Sequence, residues 1–357
     1  MSHPITLRAV ALACLAVAAP TLHAQSNVTL FGILDVAGRH VSNEGRGSIK
    51  SLVSGAGNTS RLGFRGSEDL GGGWSAGFHL EHGISVDTGS QANSTLFWDR
   101  RATVSLVSTR LGEVRAGRDF VPTYTVWVRH DPFAYVGVAA SSILLGTSPT
   151  GPATGLGTPP NLRSSNAVQY LLPRDLGGIE GGLMVAASEG GRASDGQHKL
   201  ISGRIGYVAG PVSVSGGYGQ TENDLTGNSK FKDNVFGARY DFGGARVSVA
   251  RRQFRYRDAN HTAWLLSGVV TMGAHELKAM LMKADLKGRV GSVNIAANDA
   301  RHVGLGYVYN LSKRTAIYTT VARVSNEGAA TFAIAGGPAV LAGRDSTGYE
   351  AGLRHSF

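Results

Sequence analysis

One pattern dominates the sequence from Val28 onward: segments of about ten residues alternate between apolar and small or polar side chains, and each ends in a turn. Residues 74–80, 102–106 and 303–309 show the alternation most clearly. Successive side chains of a β-strand point to opposite faces, so every segment has one apolar face and one polar or small face. The pattern therefore predicts an all-β chain of antiparallel hairpins with about sixteen strands.

The connectors between these segments fall into two sets. Short connectors rich in Gly, Pro, Asn and Asp, which favour turns, lie at 68–72, 109–112, 174–178, 209–211, 243–244, 273–274 and 310–313. Longer, irregular connectors lie at 42–57, 84–94, 120–163, 222–230, 286–299 and 326–346. Short turns at one end and long loops at the other are typical of outer-membrane barrels.

Two all-β architectures fit many alternating hairpins: a soluble sandwich or solenoid, and a transmembrane barrel. A soluble sandwich needs a charged exterior, but only 17% of the residues are charged. The 50 glycines disfavour long helices, because an interior Gly costs a helix roughly 1 kcal/mol relative to Ala. No apolar run after residue 24 is long enough for a helical membrane span. A closed, transmembrane antiparallel β-barrel is therefore favoured.

The first 24 residues have the pattern of a cleaved secretory signal peptide. Residues 9–19 form an apolar stretch too short to span a bilayer, and a small-residue cleavage site follows at Ala24. The single cysteine, Cys14, lies inside this stretch, and a lipoprotein anchor is the alternative interpretation. Cleavage after Ala24 would leave residues 25–357 as an exported chain without disulfides or a thiolate metal site, and no cofactor is predicted.

Residues 275–287 fit two kinds of secondary structure. Leu277, Met280, Leu281 and Ala284 have helical spacing, whereas residues 277, 279 and 281 have the spacing of a strand. The position of this stretch in the series of hairpins favours a strand.

The end of the chain carries a recognisable motif. In residues 349–357 the odd positions are apolar or amphipathic, and the last residue is Phe357. This ending resembles the C-terminal signal that the barrel-assembly machinery of Gram-negative bacteria reads. The segments SNVTLFGILD (26–35), SRLGFRGSEDLG (60–71) and NLSKRT (310–315) resemble motifs of the general porins of beta-proteobacteria. The resemblance covers essentially the whole mature chain.

The resemblance implies a sixteen-stranded barrel in the outer membrane that forms a homotrimer, contacts lipid and lipopolysaccharide, and passes small anionic or neutral solutes. It also implies a long third loop folded into the lumen as a constriction, for which 120–163 is the candidate. The alternative is an external loop packed at the trimer surface. Two features depart from the pattern: His355 stands where many such barrels have a second aromatic residue, and the loop 326–346 is unusually apolar.

Strand parity and the resemblance together select candidate pore residues. Arg61, Arg101 and Arg163 have inward parity, and the resemblance places such positions in an arginine cluster at the constriction. Glu81 and Asp131 match acidic positions that face this cluster.

Other charged residues remain open between two roles. Arg65, Arg115, Arg118 and Arg129 fit either the lumen or a rim that faces lipopolysaccharide. Asp35 and Glu350 also have inward parity and are expected to pair with neighbouring arginines.

Arginine stays charged at any working pH and offers a planar fork to carboxylate or phosphate, so an anion-preferring pore is expected. A channel specialised for one organic acid or phosphate is the nearest alternative. An outer-membrane enzyme is disfavoured because no Gly-x-Ser-x-Gly or other nucleophile pattern is present. A plug-bearing receptor is disfavoured because strands begin at Val28. Nucleic-acid binding is disfavoured because the basic residues are spread singly.

Overall fold

The computed structural model of the chain describes residues 27–145, 162–187, 199–222 and 229–357. The predicted signal peptide and Cys14 lie outside these ranges and stay predictions. The two helices of the described ranges are α1 (Pro122–Val128) and α2 (Ser142–Leu145), and neither has the length and hydropathy to cross a membrane. The strands are β1 (Asn27–Asn43), β2 (Gly47–Ser54), β3 (Arg61–Gly71), β4 (Trp74–Ser85), β5 (Ser90–Gln91), β6 (Arg101–Ser108), β7 (Gly112–Phe120), β8 (Arg163–Leu171), β9 (Ile179–Ala186), β10 (Lys199–Ala209), β11 (Val212–Glu222), β12 (Phe231–Asp241), β13 (Ala245–Tyr256), β14 (Ala259–Met272), β15 (His275–Val290), β16 (Val293–Asn294), β17 (Ala300–Asn310), β18 (Thr315–Asn326) and β19 (Ser346–Ser356).

The last strand closes the sheet onto the first. β19 pairs antiparallel with β1 from Ile33 opposite Ser356 to Asn43 opposite Ser346. The terminal Phe357 extends this pairing, because its backbone N–H donates to the carbonyl of Gly32 and its carbonyl accepts from the N–H of Gly32. Closure satisfies the backbone groups that an open sheet edge would expose to lipid.

The described strands occupy sixteen positions around the barrel. β2 and β3 pair in succession with the same side of β1, so together they fill one position, interrupted at residues 55–60. β5 and β16 have two residues each and only extend the hairpins that begin at β4 and β15. The prediction of an antiparallel all-β barrel with about sixteen strands is confirmed.

Strand side chains alternate between an apolar outer face and an inner face. In β14, Trp264 and Leu266 are exposed, whereas His261 and Ser267 are buried. Large exposed side chains such as Leu183, which has 64% of its surface accessible, belong to the outer face. An apolar outer face and a more polar inner face are the arrangement of a barrel that meets lipid outside and water inside.

The seven predicted short connectors all join paired strands in the structure. Gly112 shows why glycine is required in one of them. Its φ is 91°, and a Cβ at this position would lie 2.1 Å from the carbonyl oxygen of Leu171. A side chain is therefore excluded both by the backbone conformation and by the adjacent strand.

One of the predicted long connectors is wrong, and another starts later than predicted. In 42–57, β1 continues to Asn43 and β2 starts at Gly47, so a tight turn replaces most of the expected loop. In 286–299, β15 continues to Val290, and the connector to β17 covers 291–299 and contains the short β16. Both hairpins extend beyond the part where one face is apolar, so the alternation that marks a strand in the sequence fades before the backbone pairing ends. The expectation of a strand at 275–287 is confirmed by β15.

The predicted loop 120–163 contributes residues 121–145 to the described structure. This segment, which contains α1 and α2, lies against the inner face of distant strands. The ring Nε2 of His302 on β17 is 3.2 Å from the carbonyl oxygen of Val138, and Val138 N–H donates to Glu350 Oε1 on β19 at 3.1 Å. Residues 146–161 lie outside the described ranges.

The apolar segment 327–345 also packs inside the barrel. Phe332 and Ile334 are buried in the same apolar cluster as Val138. The side chain of Asn326 holds the start of the loop, because its Nδ2 donates to the carbonyl oxygens of Phe332 at 2.9 Å and Arg344 at 2.7 Å. The unusual apolar composition of this loop is therefore explained by its position against 121–145.

Candidate functional site

Arginine side chains converge on the inner wall formed by β3, β4, β6, β7 and β8. We call this group the arginine cluster; it comprises Arg61, Arg65, Arg100, Arg101, Arg115 and Arg163. Four carboxylates lie within or beside it: Glu81, Asp99, Glu113 and Asp119. Six arginines against four acids leave this wall positively charged.

Glu81 joins one set of basic side chains in the cluster. Its Oε1 is 3.6 Å from Arg61 Nε and also accepts a hydrogen bond from Arg100. Its Oε2 is 3.5 Å from His79 Nε2. The strand register explains the meeting, since Glu81 stands between Gly63 of β3 and Arg101 of β6. A Cβ on Gly63 would lie 2.3 Å from the ring of Phe31, so this glycine makes room for that ring beside Glu81.

Asp119 joins a second set of arginines in the cluster. Its Oδ2 is 2.6 Å from Arg115 NH1 and 3.4 Å from Arg101 NH2. Arg115 also binds Glu113 at 2.8 Å. These side chains are less than a quarter exposed, so each arginine is held by partners on the wall rather than extended into open solvent.

Arg163, like Arg65 over Phe31, is held by an aromatic ring. Its guanidinium lies over the ring of Phe120, 4.4 Å from the centroid, and Phe120 stacks on Tyr124 of α1 at 5.1 Å. Among the described residues its Nε has no hydrogen-bond partner. A cation held by an aromatic face keeps its N–H donors available for another ligand.

A cavity of about 360 Å³ opens along this wall. Arg65, Arg101, Arg115 and His79 line it, together with small residues of β3, β4 and β6. Arg65 and Arg101, which the sequence places on the polar face of their strands, both line this cavity, and Arg115, for which lumen and rim were equally expected, lines it too.

Asp131 has a different setting from the one expected of a pore acid. Its carboxylate accepts hydrogen bonds from the backbone N–H groups of Phe133 at 2.8 Å, Tyr135 at 3.0 Å and Ser141 at 3.3 Å, and from the Ser141 hydroxyl at 2.6 Å. Burial raises the pKa of Asp131, while these four hydrogen bonds act in the opposite direction. All four partners belong to the 121–145 segment, so Asp131 fixes the conformation of that segment.

Replacing Asp131 by alanine is expected to loosen the segment. Three backbone donors would lose their acceptor, and a buried unsatisfied donor costs about 1–3 kcal/mol. Hydrogen–deuterium exchange should rise at the amides of Phe133 and Tyr135. Asp131→Asn keeps one acceptor oxygen and should show a smaller rise; unchanged exchange in both variants would contradict this role.

The two other inward acids have structural partners. Asp35 accepts from the backbone N–H of Asn58 at 2.9 Å and from the Tyr318 hydroxyl at 2.6 Å, so it holds the interruption between β2 and β3. Glu350 has the arginine partner that was expected, because its Oε2 lies 2.7 Å from Arg39 NH2. Its Oε1 also accepts the hydrogen bond from the backbone N–H of Val138.

Sequence reasoning missed Arg100 as a member of the cluster. Strand alternation would put the side chain of Arg100 on the face opposite to that of Arg101. Arg100 precedes the first residue of β6, however, so the alternation of that strand does not apply to it. Its backbone N–H donates to the Glu81 carbonyl, which directs its side chain to the Glu81 carboxylate. Arg118, for which a lumen and a rim position were equally expected, stands opposite Ala102 of β6, on the face that carries the exposed Val104, and donates to Ser165 at 2.9 Å. No group of three or more metal-ligating side chains is found in the ranges that the structure describes.

A closed barrel with an apolar exterior and a charged, solvent-reachable inner wall defines a channel protein of the outer-membrane class. A sequence profile described as Gram-negative porin matches residues 11–329. The chain therefore belongs to the Gram-negative porin family, and it is an outer-membrane porin.

Particular relatives match nearly the whole chain. Outer membrane porin protein 32 of Delftia acidovorans is 35% identical over 365 residues, with 98% of this chain and 99% of the relative covered. An outer membrane porin of Bordetella pertussis is 26% identical over 401 residues, with 97% and 98% covered. The solved structure of an anion-selective porin from Comamonas acidovorans is similar with a TM-score of 0.78 at 33% identity, and 93% of this chain and 100% of that chain are covered.

Proposed function

We propose that this porin forms a water-filled channel for small hydrophilic solutes and prefers anions through the arginine cluster. The observation that carries the proposal is the excess of six arginines over four carboxylates on one inner wall. Rings and patches of charged side chains set the selectivity of such pores.

The field of the cluster reaches permeating ions. A unit charge at 4 Å is worth about 1 kcal/mol in bulk water and about 4 kcal/mol at an effective dielectric constant near 20. The Debye length at physiological salt is about 8 Å, comparable to the width of a narrow pore. Anions that pass along this wall therefore remain within the unscreened field.

We also propose that the two inward segments confine solutes to the arginine wall. Residues 121–145 pack against β10, β11, β12, β15 and β17 through their helices. Residues 327–345 pack beside them, with Phe332 near His261 of β14. The 360 Å³ cavity borders the arginine cluster on the other side of the barrel. The constriction loop predicted at 120–163 is supported by these contacts.

The similar porin from Comamonas acidovorans is named anion-selective, which supports the same preference here. A channel specialised for one organic acid or phosphate is the second candidate. It is favoured by the buried Nε atoms of Arg101 and Arg163, which have no hydrogen-bond partner in the described part of the chain. A general pore should pass acetate in proportion to its concentration, whereas a specialised one should saturate with its own solute.

Flux through reconstituted vesicles tests the proposal with ions of similar size. Acetate should enter faster than methylammonium, because the arginine field lowers the energy of the anion and raises that of the cation. Empty vesicles supply the background rate. Equal entry, or faster entry of methylammonium, would overturn the anion preference.

A homotrimer is part of the proposal. On the outer face, His40 of β1 and Lys50 of β2 stand opposite each other, and no atom lies within 4 Å of the position for a Cβ on neighbouring Gly38. Polar side chains beside an open glycine suit contact with another subunit better than contact with lipid. Single inserted units that close in three equal current steps would support the trimer, and a single step would contradict it.

A further inference from the structure

A second group of arginines lies where α1 ends, beyond the arginine cluster. Arg129 follows α1 as its C-cap, Arg204 points inward from β10, and Arg239 points inward from β12. We call these three residues the second arginine group. Glu180 of β9 is the carboxylate that forms ion pairs with this group in the described ranges.

Glu180 is held by a two-pronged contact. Arg129 NH2 donates to Glu180 Oε2 at 3.0 Å, and Arg129 NH1 donates to Oε1. Arg204 NH1 lies 3.5 Å from Oε1. Parallel hydrogen bonds from one guanidinium to both oxygens are the strongest geometry that arginine offers to any carboxylate, whether it belongs to the protein or to a solute.

The space around this carboxylate is shaped for it. Gly206 of β10 stands opposite Glu180 in the strand register. A Cβ on Gly206 would lie only 2.9 Å from Glu180 Oε1, so the missing side chain provides the room that the carboxylate fills. Arg204 Nε is buried and has no hydrogen-bond partner among the described residues. One donor of the group is therefore still available.

The site is reachable from the pore. Glu180 and Arg129 keep 32% and 33% of their side-chain surface exposed. Glu180 and Arg204 border a cavity of about 830 Å³ that also contacts Arg115 of the arginine cluster and the turns at 109 and 173–175. A solute that leaves the arginine cluster along this wall meets Glu180 next.

One carboxylate does not balance three arginines. Arg239 has no ion pair with an acid in the described ranges. Burial, together with the positive charges of Arg204 and Arg239, lowers the pKa of Arg129 to about 10. The group therefore keeps an excess of positive charge while Glu180 is bound. If Glu180 moved away, its space and its hydrogen-bond donors would be available to one solute carboxylate.

We propose that the second arginine group is a second carboxylate-binding subsite, in which Glu180 is an internal ligand that a permeating carboxylate solute displaces. This inference rests on the proposed anion-conducting function and adds a specificity-determining residue to it. Glu180 weakens the binding of solute carboxylates by competition, because a tethered ligand is present at a high effective concentration. It thereby keeps the subsite from trapping anions that should pass through.

Acetate block of the single-channel chloride current tests the competition. Glu180→Gln keeps the size of the side chain but removes the competing charge, so the acetate concentration for half-block should fall several-fold. Arg204→Gln removes a ligand of the subsite and should raise it. Glu327→Gln is the matched control, because this exposed acid pairs with Arg301 at 3.8 Å at the rim and should leave the half-block unchanged.

Opposite shifts in the two variants support the subsite. If Glu180 only tethers the 121–145 segment through Arg129, Glu180→Gln breaks the tether, and Arg204→Gln removes only the second cation beside Glu180. Shifts in the same direction, or no shifts, would overturn the proposal. Should Glu180→Gln fail to insert, Glu180→Asp replaces it: the shorter acid competes less well, and the half-block must still fall. A wild-type channel that does not prefer anions would refute the proposed function. That result is separate from the test of the subsite, which depends only on how each variant shifts the acetate half-block concentration relative to the wild type.

Discussion

Replacing Arg61, Arg101 and Arg163 together by glutamine is expected to remove most of the anion preference of the channel. The substitution takes the inner wall from six arginines and four carboxylates to three arginines and four carboxylates. A unit charge is worth about 0.5 kcal/mol at about 8 Å in bulk water, so three charges together shift the energy of a passing chloride ion by about 1.5 kcal/mol, and the ratio of chloride to potassium permeability should fall by on the order of tenfold. Zero-current potentials in a potassium chloride gradient give this ratio.

The control variant changes the same net charge elsewhere. Arg301, Arg323 and Arg344 are exposed and pair with acids near the external loops. Their replacement by glutamine should leave the permeability ratio nearly unchanged, because these charges lie in open solvent where salt screens them. An equal loss in both triple variants would mean that overall charge, and not the arginine cluster, sets the selectivity.

Gly304→Leu is expected to displace the inward segment 121–145 and increase the single-channel conductance. A Cβ at this inward position of β17 would lie 2.5 Å from Ala139 Cβ and 3.3 Å from Phe133 Cε2. The segment cannot stay docked against a larger side chain, and overpacking of this kind costs about 1–3 kcal/mol. Single-channel recording should also show a noisier open current, since a displaced loop samples more positions.

Gly268→Leu supplies the matched control for this prediction. Gly268 lies on the outer face of β14 between the exposed Leu266 and Val270, and the nearest atom to a Cβ at this position would be 3.9 Å away. The same substitution should therefore leave conductance and noise as in the wild type. If Gly304→Leu also leaves them unchanged, the segment does not limit the pore.

Strand parity predicted the inner wall well because the barrel imposes one simple rule. Arg61, Arg65 and Arg101 all follow it, since each lies in a regular strand whose alternate side chains meet lipid. Arg100 could not be found in this way. It lies just before β6, where a hydrogen bond to the Glu81 backbone and not the strand alternation directs the side chain.

Loop residues were harder to predict because their partners are set by tertiary packing. Asp131 has the charge expected of a pore acid, but its carboxylate is used by backbone donors within its own segment. The apolar residues of 326–346 gave no clue to their position until Phe332 and Ile334 were found packed inside the barrel. The apolar composition of this loop was itself an indication of burial, because a loop exposed to solvent is normally polar.

The zero-current potential of the wild-type channel tests the central claim most directly. The gradient of potassium chloride should be kept at or below about 0.1 M, where the Debye length is about 10 Å and the arginine field spans the pore. An anion-preferring channel makes the dilute side negative, because chloride crosses ahead of potassium. A potential of zero, or a dilute side that becomes positive, would contradict selectivity by the arginine cluster.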